Sequence, residues 1–342
     1  MERRAAVWMA PDQVELVKEV AAAAGLSIAH AGSWGRGLST SVAEELGAAP
    51  IRDVRSALAS AEVDLFWIAS AGAFGAGNAV EDGNAVSDAH ARNVKIASIE
   101  PIPAAALDLL GGGWLEGTVK PVDVVRLVPR MSEAKWVRNA ADVLESFGSI
   151  RTAVIQSWGA PAHGSLGAHL FSALDLALSL MGEPETIDAA CAVLSAGKTV
   201  RAMPGETLRD LHGDITASLR YADGRAAGVM VSDQAGRWGR SITLLGDKGR
   251  LRIHDDGLEW IGPDGALVDE SKPKRTKKGE LNVSPAAAAM AESLARLLEP
   301  GVQDMKPGRQ VETLTLCQTA LLSARTGQGE SPSTIRRMVG VD

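Results

Sequence analysis

Short apolar runs alternate with helical stretches through the first third of the chain, and this alternation constrains the fold more than any other feature. Ala5 to Ala10 reads as a strand, Asp12 to Ala24 as a helix with Val14, Val17, Val20 and Ala21 on one stripe, and Leu26 to Ala31 as a second strand. Val42 to Leu46 and Val54 to Ala61 read as helices, and Val63 to Ser70 as a buried strand. Val86 to Val94 follows as a helix and Lys95 to Ile99 as another strand. Strands separated by helices pair in parallel through right-handed crossovers, which predicts an α/β, doubly wound sheet.

The pattern changes after Lys120. Val122 to Arg130 reads as a strand, Glu133 to Phe147 as a helix, Ile150 to Trp158 as a strand and Gly164 to Met181 as a long helix. Strands joined by tight turns follow: Ile215 to Arg220 and Ala226 to Ser232 around Asp223-Gly224, then Ser241 to Leu245, Leu251 to His254 and Leu258 to Ile261. Two helices, Pro285 to Leu298 and Gly308 to Ser323, close the chain. The expectation is a first domain over residues 1–121 and a second over 122–342 built on a large, mostly antiparallel open sheet. The last helix is expected to pack back near the first domain.

Composition excludes several classes. The chain has 342 residues, 46% hydrophobic and 23% charged, which argues for two folded domains rather than disorder or a coiled coil. With 35 Lys+Arg against 42 Asp+Glu, it lacks the basic excess that nucleic acid or an anionic membrane demands. Cys191 and Cys317 are too few and too far apart for a disulfide framework or metal cluster. The apolar run after Arg3-Arg4 ends at Pro11, too soon for an export signal, and no membrane-length apolar stretch follows, so a cytoplasmic location is expected.

Ala43-Glu-Glu-Leu-Gly-Ala-Ala-Pro-Ile-Arg-Asp-Val, Ala61-Glu-Val-Asp-Leu-Phe-Trp-Ile-Ala and Ile99-Glu-Pro-Ile-Pro occur in that order. Leu180-Met-Gly-Glu-Pro-Glu-Thr-Ile, Ile242-Thr-Leu-Leu-Gly-Asp-Lys-Gly-Arg-Leu-Arg-Ile and Ser323-Ala-Arg-Thr-Gly-Gln follow. Together they resemble the glucose-fructose oxidoreductase, inositol dehydrogenase and MocA (Gfo/Idh/MocA) family across most of the chain. The resemblance implies a Rossmann domain for a nicotinamide cofactor, a second-domain sheet that often makes dimer contacts, and a sugar or polyol substrate between the domains.

The site elements of that family are largely replaced. A dinucleotide turn needs Gly-x-Gly-x-x-Gly after the first strand, and this chain reads Ala10-Pro-Asp-Gln-Val-Glu15. Asp12 followed by Glu15 suggests a self-capped helix whose carboxylates would repel pyrophosphate, although a remodelled phosphate site stays open. After the second strand, Ser33 and Arg36 match the types that bind the NADP phosphate, or else form an ordinary loop. Ser70 leads into the glycine-rich stretch Gly72 to Gly77 at the switch point, whose amides could cradle an anion or form a mobile loop. Ala10, Asp12, Ser33, Arg36 and Ser70 are therefore the candidate cofactor contacts, with either NADP or no cofactor as the outcome.

Glu100 stands where the resemblance places a lysine. On the substrate helix, Ala168 and Ser172 stand where the family carries Asp and His, and only Asp175 matches. His169, Ser172 and Asp175 lie along one side of that helix, opposite the apolar stripe Leu166, Leu170, Leu174, Ala177, Leu178 and Met181. His169, Asp175 and Glu100 are the catalytic candidates, and Arg130, His163 and Ser172 the substrate-binding ones. The basic run Lys272 to Lys278 reads as a solvated loop, and no metal-ligand cluster or nucleophile motif occurs. Two readings remain: a non-catalytic ligand-binding or assembly subunit, or an active NADP-dependent sugar or polyol dehydrogenase with a remodelled site. Either would be a homo-oligomer, or pair with a related subunit through its open sheet.

Overall fold

The computed structural model describes residues 3–35, 37–110, 112–192, 207–209, 211–255, 257–272, 283–299 and 309–340. The amino-terminal part alternates as the sequence predicts. It runs β1 (Arg3–Trp8), α1 (Val14–Ala24), β2 (Leu26–Gly32), α2 (Leu38–Leu46), β3 (Ala49–Ile51), α3 (Val54–Ser60), β4 (Leu65–Ile68), α4 (Ala79–Ala91), β5 (Lys95–Ser98), α5 (Pro121–Val124) and β6 (Val125–Leu127). These strands form one parallel sheet in the order β3-β2-β1-β4-β5-β6. That is the order of a dinucleotide-binding doubly wound sheet, whose winding reverses between β1 and β4. All four residues of β4 and the last four of β1 are buried, as a sheet covered on both faces requires.

Two details differ from the sequence reading. The short β3 escapes it, because three residues, two of them exposed, carry no periodicity. Val122 to Arg130 is not a strand of the second domain. Pro121 starts a helical turn, and Val125–Leu127 then pairs with Ile96–Ser98 as the sixth strand of the first sheet, past the expected end at residue 121.

The rest comprises α6 (Lys135–Asn139), α7 (Ala141–Phe147), β7 (Ile150–Trp158), α8 (Leu166–Met181), β8 (Thr186–Ala192), β9 (Asp214–Arg220), β10 (Ala226–Ser232), β11 (Gly239–Gly246), β12 (Gly249–His254), β13 (Gly257–Ile261), β14 (Leu267–Ser271), α9 (Pro285–Leu297), α10 (Arg309–Thr326) and α11 (Pro332–Val339). The single helix expected over Glu133 to Phe147 is two, parted at Ala140 after Asn139, a weak helix former. The second sheet has the order β14-β13-β12-β11-β7-β10-β9-β8, and every neighbouring pair except β7 and β10 is antiparallel. One face of this sheet packs on α8, which in turn packs on α10. The other face is open and exposes Val154, Met230 and Leu245.

The chain's end ties the two domains together. Helix α9 lies on α1, with Ala287, Met290 and Leu294 joining Val14, Val17 and Val20 in one core beside β1 and β4. Its first residue before the helix, Ser284, donates from its hydroxyl and its backbone to Glu19. Helices α10 and α11 pack on the turn Ala106–Leu109 of the first domain.

Candidate functional site

Ligands of doubly wound sheets bind outside the carboxyl ends of the strands, at the switch point. Here that crevice lies between β1 and β4, and Gln13 crosses it. The chain leaves β1 into a single tight turn, Pro11–Gln13, before α1. Gln13 is buried; its Oε1 accepts from Ala10 N–H at 3.0 Å, and its Nε2 donates to Ala69 O at 3.1 Å and to Ala162 O at 3.2 Å. One side chain thus links the first turn, the end of β4 and the second domain. The expected Asp12–Glu15 capping box does not form. Asp12 is exposed, Glu15 pairs with Lys18, and Gln13 does the capping because its longer side chain reaches back to Ala10.

The ends of β2 and β4 are also bridged. Trp34 Nε1 donates to Ser70 Oγ at 3.0 Å, and its ring lies so close to Gly72 that a Cβ there would meet Trp34 Cδ1 at 3.2 Å. Ser33 is buried and locked to Ser39: its N–H donates to Ser39 Oγ, which donates back to Ser33 O. Arg36, the other expected phosphate contact, lies outside the described residues. So does most of the basic run after Lys272.

Glu100 follows β5 and reaches across to the second domain. Its carboxylate accepts from both the backbone N–H and the hydroxyl of Ser165, the residue that caps α8. Burial pushes its pKa up, and the Ser165 bonds and the nearby Arg209 and His212 only partly oppose this. The glutamate therefore joins strand end to helix start.

The side of α8 that carries His169, Ser172 and Asp175 is buried, because the helix is enclosed between the second sheet and α10. Each of its three polar residues has a different partner. Asp175 pairs with Arg130, accepts from Ser132 and shows no exposure. Ser172 Oγ accepts from Met131 N–H at 2.8 Å. His169 Nδ1 lies 2.8 Å from Ser157 Oγ on β7, and burial lowers the imidazole pKa to about 4. His163 Nδ1 accepts from Ala160 N–H, and burial lowers its pKa as well.

His163, His169 and Ser172 line a pocket with Ser157, Trp238 and Arg240, floored by Ile99 and Leu127. Its free volume is about 10 Å³, close to that of one water. The Arg240 guanidinium sits 5.0 Å from the Trp238 ring centre and 5.8 Å from that of Trp136. Asp255 accepts from its Nε and Nη2.

No family model matches the sequence, and a search of curated proteins returns no match. Solved structures do match. A levoglucosan dehydrogenase in complex with NADH and L-sorbose superposes at TM-score 0.68 with 12% identity, over 97% of this chain and 99% of that one. A myo-inositol dehydrogenase from Corynebacterium glutamicum gives 0.62 with 17% identity, over 97% and 99%. An oxidoreductase from Agrobacterium radiobacter in complex with NAD+, L-tartaric acid and magnesium gives 0.65 with 17% identity, over 98% and 100%. The chain has the fold of a Gfo/Idh/MocA-type dehydrogenase.

Within this Gfo/Idh/MocA fold, the sequence-derived candidates separate into three places. Ala10, Ser33 and Ser70 lie at the strand ends of the crevice, whereas Asp12 points to solvent. Glu100 joins the domains, and Arg130 and Asp175 form a buried pair. His163, His169 and Ser172 share the pocket. Sequence reasoning passed over Gln13, Trp34, Trp238 and Arg240. The first carried only a weak signal, a long amide inside the turn at a position the glycine motif leaves free. The others carried none, because indoles and an arginine on strands and loops look like ordinary core and surface residues. Also unforeseen is His212, held through Nδ1 by the buried Asp233 at 2.8 Å. No cluster of three or more metal-ligating side chains occurs among the described residues, and no described helix is long and apolar enough to cross a membrane.

Proposed function

We propose that this chain keeps the dehydrogenase fold as a non-catalytic, ligand-binding or assembly subunit, having given up nicotinamide binding and hydride transfer. Gln13 carries this reading. A pyrophosphate needs close backbone approach at the first turn, and here a buried amide with three hydrogen bonds spans that turn. The residues do not fit a dinucleotide. Trp34, bonded to Ser70 across the ends of β2 and β4, supports the same conclusion for the part of the crevice where a ribose would lie. Glu100 further places a carboxylate where the family resemblance calls for an ammonium.

The sugar- or polyol-like class suggested by the fold is the starting expectation for the ligand, and the pocket around His169 is where it would bind. The open face of the second sheet, with Val154, Met230 and Leu245 each more than 40% exposed, supports pairing with a second copy or a related subunit. Calorimetric titration with NAD(H) and NADP(H) tests the proposal. No binding is expected, and a Kd below about 100 μM, roughly −5.5 kcal/mol, for any of the four would sink it in favour of an NADP- or NAD-dependent dehydrogenase.

A further inference from the structure

Three nitrogens of residues lining the pocket around His169, where the two domains meet, have no hydrogen-bond partner among the described residues: His169 Nε2, Trp238 Nε1 and Arg240 Nη1. Buried polar atoms are rarely left this way, and each costs about 1–3 kcal/mol when it is. His169 and Arg240 are 4% and 5% exposed. The two cannot move away to find water, because His169 is held to Ser157 and Arg240 is clamped between two indoles and Asp255. Space is also kept open beside them. Gly159 lies against His169, and a Cβ at that position would stand 3.2 Å from Nε2.

The chemistry of the three atoms is one-sided. Arg240 Nη1 and Trp238 Nε1 can only donate. Burial keeps His169 neutral, and we assign the buried Ser157 hydroxyl as the donor to Nδ1, the tautomer in which Nε2 carries the proton and donates too. The oxygens lining the pocket are engaged elsewhere: Ser172 Oγ accepts from Met131, and Ser157 Oγ is bonded to His169. A polyol hydroxyl brings a donor as well as an acceptor, and its hydrogen would find no acceptor here. A carboxylate brings only acceptors, and a guanidinium suits it. Asp233, whose charge acts on His169, and Asp255 are both already bonded, to His212 and Arg240 respectively.

We propose that this pocket binds the carboxylate head of a small organic acid through Arg240 Nη1, Trp238 Nε1 and His169 Nε2. The body of the acid is accommodated by parting His163 and Trp238, the half-buried residues of the rim, whose rings pack edge to face at 6.0 Å. This rests on the reading of the second domain as a ligand site and replaces its expected polyol with an acid. The free space is about that of one water, so the rim residues have to move to admit the head group as well as the rest of the acid.

The test is calorimetric titration of the full chain with L-lactate, with lactamide as its uncharged counterpart and with myo-inositol and glucitol as polyols. Lactate is expected to bind at least tenfold tighter than lactamide or either polyol. Gly159→Ala, which fills the space at His169 Nε2, and Trp238→Phe, which keeps the ring and removes the N–H, are each expected to weaken lactate five- to tenfold. Should Gly159→Ala fail to fold, Trp238→Phe alone carries this arm. A polyol or lactamide that binds as well as lactate overturns the carboxylate assignment while leaving a ligand site standing. Wild-type affinity in both variants likewise overturns it. If no compound binds, the acid proposal and the ligand-site reading both fall, whereas nicotinamide binding in the separate titration removes only the non-catalytic reading.

Discussion

The crevice of the first sheet and the pocket around His169 differ in where their polar atoms go. In the crevice, Gln13 satisfies Ala10 N–H, Ala69 O and Ala162 O, while Trp34 satisfies Ser70. In the pocket, three nitrogens face one small space without a partner among the described residues. A hydrogen bond adds little net stability when it merely replaces another, but an unsatisfied buried donor leaves its full desolvation cost to be recovered. The first place therefore gains little from a ligand and the second gains much. The proposed shift of ligand binding from the crevice to the neighbouring pocket rests on that difference.

The sharpest challenge to this division is Asp175, the one residue that matches the dehydrogenase helix. It is paired with Arg130 inside the molecule and stands outside the pocket. If it belongs to the scaffold, Asp175→Ala removes the nearer of two carboxylates from a buried guanidinium and costs about 3–5 kcal/mol, while Arg130→Met combined with Asp175→Leu costs much less. Urea unfolding of the single and double variants measures both. An Asp175→Ala protein of wild-type stability would return the residue to the list of chemical groups.

What could be read in advance follows the same division. Strand and helix periodicity is a property of many residues at once, so the strands β7 and β10 are legible to the residue, and the doubly wound sheet is legible as a whole. Short elements such as β3, and β14 with every residue exposed, lack that averaging and were invisible. At the site, a missing motif was legible because glycine, lysine and histidine were absent from specified positions. What took their place was not. That Gln13 folds back on Ala10, that Arg240 enters between Trp136 and Trp238, and that His169 turns to Ser157 all depend on contacts between segments far apart in the chain. The helical spacing of His169, Ser172 and Asp175 correctly put them on one side of α8. It could not reveal that this side is as buried as the other, because the cover comes from Met131 and α10.

His169 provides a test of intermediate size. Its pKa in the folded chain is about 4 against an ordinary 6.5, with burial the main cause. Below pH 6.5 the unfolded chain takes up a proton that the native imidazole refuses until about pH 4, so the unfolded state binds more protons and stability rises with pH in that window. This group's contribution is fully present above pH 6.5 and lost on acidification, by about 3 kcal/mol at the limit. Denaturant midpoints of wild type and His169→Gln, compared from pH 7 to pH 4, should converge as the pH falls. Parallel curves would mean that the imidazole reaches solvent and that the pocket is not sealed. Bound organic acid should reduce the slope, because a carboxylate beside the imidazole favours its protonated form and brings its native pKa nearer the ordinary value.

The smallest effects are expected in the crevice, and they decide whether it is filled or merely gated. Removing the Gln13 amide by Gln13→Ala gives up three hydrogen bonds, one to each of three segments, for a loss of about 1–3 kcal/mol. Trp34→Ala gives up one bond to Ser70 from a side chain that is 49% exposed, and should change stability by less than about 1 kcal/mol. The two variants differ more in what they mean than in what they cost. If the indole were a lid over an intact nucleotide site, Trp34→Ala alone would expose that site, and NADP would bind below about 100 μM. In a crevice closed by its own turn, neither variant binds, because removing a side chain does not restore the close backbone approach that glycines give at Ala10 to Glu15. Titrating NADP into Trp34→Ala, Gln13→Ala and the double variant therefore separates the two cases. Binding in Trp34→Ala marks a gate, binding only when Gln13 is removed marks a plug, and silence in all three places the obstacle in the backbone of the first turn.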